Sequence, residues 1–434
     1  MKGSKITPKT AAPKLKKVRT IYRVSEYVLP NGLRVLFRRQ TAAPVVAVCI
    51  TFHVGSRNET AGNTGYTHIL EHLLFKDSTK FNRANGNAIT DYLDWFGAIL
   101  NATTWFDRTN YFEMLPNDKL EEALAMEADR LRGSLFTDED LASEMTVVRN
   151  EFERSRNNPF ELLDEEVMSV AFTKHPYRIP TIGSKEDIEA STAAKLREFY
   201  DKFYWPNNAT LTVVGDVQWR DVARLVEAYF GPIPTAPHKI PTMSVVEPAQ
   251  TSQRTCRVVE PLGLTIVEAL YKIPAGTHKD YAALLTTLAV LAGGFSSILQ
   301  KKLVDSGLAA GMSYSAFALH DPAAASFTVH VAEGVDPQTV VDILHQEIAE
   351  FTKAGPSTKQ LMYAKERLMS QFSAERDGVL NEARMVSEAI AAGDWTLNYR
   401  LVQDIKKVTA ADTKRVAKKY LQETGETVGV LVNE

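Results

Sequence analysis

Short apolar runs of strand length alternate along this chain with longer helical patterns, and in one helix the polar positions are as regular as the apolar ones. Val45-Val46-Ala47-Val48-Cys49-Ile50 is a continuous, β-branched run that reads as a buried strand. In residues 65–75, Ile69, Leu70, Leu73, Leu74 and Phe75 make a largely apolar helix interrupted by His68, Glu71 and His72. A spacing of four stacks His68 and His72 on one face, and Glu71, three after His68, borders them. Buried polar side chains need a compensating partner. Further on, Thr137-Asp138-Glu139-Asp140 opens like a helix, with Thr137 as N-cap and Asp140 in the capping-box position, and Asn157-Asn158-Pro159 closes it. Inside this helix Glu144 and Glu151 stand seven apart, on one face, with Val147 and Val148 between them. Two valines on that face argue against a solvated acidic stripe.

The clearest break is at residues 231–241, where Pro232, Pro234, Pro237 and Pro241 preclude a helix or an inner strand. The halves on either side look alike. Thr192-Ala193-Ala194, ahead of Tyr204 and the strand Leu211-Thr212-Val213-Val214, resembles Thr409-Ala410-Ala411, ahead of Tyr420 and Thr427-Val428-Gly429-Val430; the offset is 217 residues, half the chain. The expectation is an α+β protein of two homologous domains, each a largely antiparallel sheet packed with helices. The division is a basic N-terminal arm at 1–24, a first domain at 25–230, a Pro-rich linker at 231–250 and a second domain at 251–434. In the second half the counterpart of the histidine helix, residues 282–291, contains no histidine or glutamate, and is structural.

Length and composition agree with this division. A chain of 434 residues exceeds what one core usually covers. Hydrophobic residues at 44% and charged residues at 24% are a globular balance, and a net charge of −3 gives no reason to invoke nucleic acid. No stretch of 18 uninterrupted apolar residues occurs, and the N-terminus lacks an apolar run long enough for a signal peptide. Cys49 and Cys256 stand far apart without metal-type neighbours. A cytoplasmic location is expected for the chain as given, or a periplasmic one if an export signal has been removed.

The histidine helix is where chemistry concentrates. H-x-x-E-H reverses the commoner H-E-x-x-H order. Two neutral imidazoles and one carboxylate hold zinc in three positions and leave a fourth open for water, with Glu71 left over as a general base. The third ligand has to come from another element; of Glu144 and Glu151, one can bind metal while the other orients a ligand histidine. A purely structural zinc fits poorly, since such sites are usually closed by four ligands.

With H-x-x-E-H at 68–72 followed by E-x-x-V-V-x-x-E at 144–151, the chain resembles the pitrilysin and insulysin family of zinc peptidases, especially its mitochondrial-processing-peptidase-like branch. Leu29-Pro30-Asn31-Gly32, His53-Val54-Gly55-Ser56-Arg57, Leu100-Asn101-Ala102-Thr103-Thr104, His175-Pro176-Tyr177 with Gly183, and Tyr204-Trp205-Pro206-Asn207 carry the likeness on from about residue 25 to the end. The resemblance implies that His68, His72 and Glu151 bind one Zn2+ per chain, that Glu71 is the catalytic base, and that Glu144 supports a ligand histidine. It implies too that Asn101, Ala102 and Thr103 lie on an edge strand that pairs with an extended peptide substrate. Active members of the family close four such domains around a peptide chamber. Many relatives keep an arginine where this chain has Ile298 and a tyrosine a few residues later, a pair that helps to bind substrate; an aliphatic side chain cannot donate those hydrogen bonds. The expectation is therefore a zinc metalloendopeptidase acting as the catalytic subunit of a heterodimer, whose related partner carries the Arg/Tyr pair, with a homodimer second. The alternative is a non-catalytic scaffold or assembly subunit of the same superfamily, which has no physical reason to keep a general base beside the ligands.

Overall fold

The structure, a computed structural model, describes residues 14–433. Its first half runs β1 (Lys16–Ile21), β2 (Val24–Val28), β3 (Arg34–Arg39), β4 (Val45–Phe52), α1 (Tyr66–Leu73), α2 (Ile89–Asp94), β5 (Ile99–Thr104), β6 (Thr109–Pro116), α3 (Leu120–Gly133), α4 (Asp138–Arg156), α5 (Pro159–Ala171), α6 (Lys185–Glu189), α7 (Ala193–Phe203), β7 (Ala209–Gly215) and α8 (Trp219–Tyr229). The second half runs β8 (Arg254–Val259), β9 (Ile266–Ile273), α9 (Tyr281–Ala292), β10 (Ala309–Ala316), β11 (Ala323–Val331), α10 (Pro337–Ala354), α11 (Thr358–Ala374), α12 (Val379–Ala391), α13 (Leu397–Lys407), α14 (Ala410–Tyr420) and β12 (Glu426–Val432). No described helix is long and apolar enough to cross a membrane.

Two sheets organise these elements, as the repeat implies. The first has seven strands in the order β1-β2-β3-β7-β4-β6-β5, the second five in the order β10-β11-β9-β12-β8. Each contains one parallel pair, β3 with β7 and β8 with β12, among otherwise antiparallel neighbours. The 217-residue offset holds in detail. Thr192 and Thr409 each cap their helix by accepting an amide three residues on, and β7 and β12 begin at Ala209 and Glu426. All twelve residues of α9, the counterpart of α1, are buried.

The halves exchange helices. α1, α3 and the last helices of the first half pack around one face of the first sheet, while its other face is covered by α12, from the second half. Val379 and Ala383 meet Ala47, Cys49, Phe112 and Val214 there, and Met385, Val386 and Ile390 meet Val24 and Leu36. Reciprocally, α5 lies on β8, β9 and β12, burying Leu162, Leu163, Val167 and Ala171 in the second core. Its approach is close enough that a Cβ on Gly429 would meet Val167 Cγ2 at 2.2 Å. Since each buried aliphatic side chain contributes roughly 1.5–3 kcal/mol, the exchange binds the halves far more firmly than the Pro-rich linker joining them.

The basic arm is corrected in part. Residues 1–13 lie outside the described residues, but residues 16–21, assigned to the arm ahead of the first domain, form the exposed edge strand β1 of that domain's sheet. Arg19 sits directly opposite Glu26 and pairs with it at 2.7 Å, a cross-strand charge pair that turns a basic sequence into a strand. Between residues 231 and 250 there is no helix or strand. Both cysteines are unpaired.

Candidate active site

α1 begins at Gly65, whose φ of +84° and contact with Ile182 O leave no room for a side chain. The orphan amides of its first turn are taken by Glu59, which accepts from Gly65 N and Thr67 N, both at 2.7 Å, and from the Thr67 hydroxyl. Burial pushes the Glu59 carboxyl up to about 7, against those hydrogen bonds. The buried side of α1, carrying Ile69, Leu70 and Leu73, fixes the helix against the first core. His68, Glu71 and His72 are thereby turned toward α4 and β5.

α4 starts as the sequence implies, with Thr137 Oγ1 accepting from Asp140 N at 3.0 Å, and brings both of its carboxylates to α1. Glu151 Oε2 lies 3.5 Å from His68 Nε2 and 3.4 Å from His72 Nε2. Glu144 Oε2 lies 3.1 Å from His72 Nδ1, and its other oxygen lies 2.5 Å from Lys76 Nζ. Of the two valines between them, Val148 is buried but Val147 is 42% exposed. Val147 is about 60° round the helix from Glu144, enough to put it on the rim.

Metal-binding chemistry fits these atoms. With His72 Nδ1–H donating to Glu144, Nε2 presents a lone pair, and it faces a carboxylate oxygen. In that tautomer the lone pair and the carboxylate oxygen converge as two ligand atoms would. One atom from each of His68, His72 and Glu151 comes together within 4.8 Å. Ligands of a tetrahedral ion with bonds of about 2.0–2.1 Å stand roughly 3.3 Å apart, close to the 3.4 and 3.5 Å separations seen. Burial, and then His72, hold His68 down at about 3, so it stays neutral, as a ligand must be. Its Nδ1 is buried with no hydrogen-bond partner among the described residues, whereas the His72 Nδ1 has Glu144.

Glu71 is not part of the converging trio. Its Oε2 accepts a 2.5 Å hydrogen bond from Thr104 Oγ1 on β5. Burial raises its carboxyl above the ordinary range, opposed by Thr104, His72 and Arg108. β5 is the last strand of the first sheet and pairs only with β6, so Asn101, Ala102 and Thr103 do lie on an open edge. Beside it a cleft of about 370 Å³ is lined by His68, Thr104, Phe106, Glu151, Asp164 and Met168. Thr104, Lys76 and Glu59 were not legible as site residues: Thr104 and Lys76 each reach the site through one side-chain contact made after folding, and Glu59 acts through the first turn of α1. Only Lys76, four residues past His72, carried a spacing signal.

In the second half, Ile298 packs against the second core. Tyr314, on β10, instead lines a cavity of about 910 Å³ together with Arg367 of α11 and with Trp105 and Arg108 of the first half.

Known proteins resemble this chain along nearly its whole length. Residues 34–185 match the family model "Insulinase (Peptidase family M16)", and residues 190–368 match "Peptidase M16 inactive domain". The chain is 31% identical over 411 residues to the zinc protease PqqE of Helicobacter pylori, covering 92% of this chain and 90% of that protein. It is 24% identical to a probable mitochondrial-processing peptidase subunit beta of Arabidopsis thaliana, covering 91% and 75%. The crystal structure of a protease from Helicobacter pylori superposes with a TM-score of 0.89 at 28% identity, covering 97% of this chain and all of that one.

Proposed function

We propose that this chain, which belongs to the insulinase family of peptidases (family M16), is a zinc metalloendopeptidase, with His68, His72 and Glu151 as the metal ligands and Glu71 as general base. The observation that carries the reading is the convergence of two imidazole nitrogens and one carboxylate oxygen beside a fourth group, Glu71, held off the metal by Thr104. A zinc ion there supplies a Lewis acid that polarises a carbonyl and makes water acidic enough to attack at neutral pH. Glu71 takes the proton of the attacking water and passes it to the leaving nitrogen; its raised carboxyl suits both directions of transfer. Ala102 and its neighbours on β5 offer the open strand edge on which an extended peptide pairs, reading main chain more than side chains. Substrates are then short or unfolded peptides. The partner is a related subunit of similar size that completes a four-domain chamber.

The test is metal analysis of the purified chain alongside cleavage of a quenched fluorescent peptide, alone and with related subunits. Stoichiometric zinc with cleavage supports the reading; zinc-free protein, or zinc without cleavage in any assembly, supports the scaffold alternative. The two glutamates of α4 give a finer check. Glu151→Gln removes a ligand and is expected to weaken zinc binding more than Glu144→Gln, which removes the partner of His72 Nδ1 and is expected to cost about 10- to 100-fold in affinity. Competition with a chelator reads the order, and the reverse order would exchange the two roles.

A further inference from the structure

β5 makes two kinds of contact near its C-terminal end, one on each face. On the α1 side, Thr104 Oγ1 donates to Glu71. On the other side, Thr103 is held by Arg108 and Asn110 of the first half, which α12 of the second half engages in turn. Arg108 Nη1 donates to both Thr103 O and Thr103 Oγ1 at 2.7 Å, and its Nη2 and Nε donate to Glu388 Oε1 of α12 at 2.5 and 3.1 Å. Thr103 Oγ1 also donates to Asn110 Oδ1, and Asn110 Nδ2 donates to Ser387 Oγ, again on α12. Arg108 is buried, while the Glu388 side chain is 47% exposed, so the pair stands in the wall of a cavity of about 910 Å³ that both residues line.

The end of β5, where the base's hydrogen-bond donor sits, runs straight into the turn to β6 that carries Arg108, so the anchoring of that turn bears on where Thr104 points. We propose that Arg108 and Glu388 are positioning residues for hydrolysis: from the far face of the sheet they fix Thr103, and with it the adjoining Thr104 hydroxyl that aims Glu71. The inference rests on the reading of Glu71 as general base. It gives the helix exchange a consequence for activity, because the second half, which lacks a metal motif, sets the aim of the base in the first.

The experiment uses the chain in whatever assembly cleaves the quenched peptide. It reads kcat and KM separately, zinc content, thermal midpoint, and binding of a fluorescent unstructured peptide in a Glu71→Gln background. Thr104→Val and Glu388→Ala are expected to lower kcat about 10- to 100-fold, the scale of a small misplacement of a catalytic group. Zinc stays stoichiometric and peptide affinity changes by less than about 3-fold, since the strand edge itself remains. Thr104→Ser, which keeps the donor, restores kcat. Tyr399→Phe removes a hydrogen bond to Glu382 elsewhere on α12 and is expected to shift the thermal midpoint without the loss of kcat. A Glu388→Ala chain with wild-type kcat, or a Tyr399→Phe chain with the same kcat loss, would overturn the positioning role while leaving the peptidase reading intact. A wild-type chain that cleaves nothing in any assembly overturns both.

Discussion

Glu71→Gln is expected to abolish peptide cleavage, by at least about 10³-fold, while zinc stays near one per chain. General acid–base catalysis by a positioned side chain is worth roughly 10²–10⁴-fold, and here one carboxyl serves both the attack and the departure of the leaving group. Glutamine has nearly the same shape and still accepts from Thr104 Oγ1, so the site is not expected to collapse. On the proposed reading His68, His72 and Glu151 suffice to hold the metal without it. The measurement pairs zinc analysis with progress curves on a quenched peptide. Turnover within about tenfold of wild type would remove Glu71 from the mechanism, and loss of zinc would make it a ligand instead.

How much of this site could be read from the sequence depended on distance along the chain. His68, Glu71 and His72 share one helix, and Glu144 and Glu151 another, so helical spacing alone groups each set. The Thr137 cap and the 217-residue repeat were legible for the same reason, since caps and strand starts are local signals. The meeting of the two helices came from family resemblance, because nothing local says that α4 crosses α1. What stayed hidden was long-range. Thr104 and Arg108 look like ordinary strand-end residues until β5 is placed between α1 and α12. The exchange of α5 and α12 was invisible because an amphipathic pattern shows that a helix buries a face, not which sheet it buries it against. The basic arm misled in the same way: Arg19 became a strand residue only because Glu26 came to lie opposite it.

The exchange also bears on assembly. α5 covers the second sheet and α12 the first, so apolar burial locks the two halves into one unit. On the proposed reading that unit is half of a peptide chamber, and a second subunit would complete it.

Full activity is expected only when that subunit is a related chain carrying an arginine and a tyrosine in its C-terminal half. On the proposed reading this chain holds the trio and the base, but at the position where the family resemblance implies an arginine, Ile298 packs against the second core and donates nothing. Loss of one donor to the developing oxyanion typically costs about 10²–10³-fold, so the isolated chain should cleave at least 100-fold more slowly than the complex. A homodimer would close the chamber without restoring that arginine. The cavity at the second half sharpens the test, because Arg367 and Tyr314 line it together, which makes Arg367 one guanidinium that a homodimer could offer. Light scattering combined with the peptide assay decides. A homodimer that cleaves at the rate of the co-expressed complex would sink the heterodimer, and loss of that activity in Arg367→Ala would show which arginine had taken the place of the missing one.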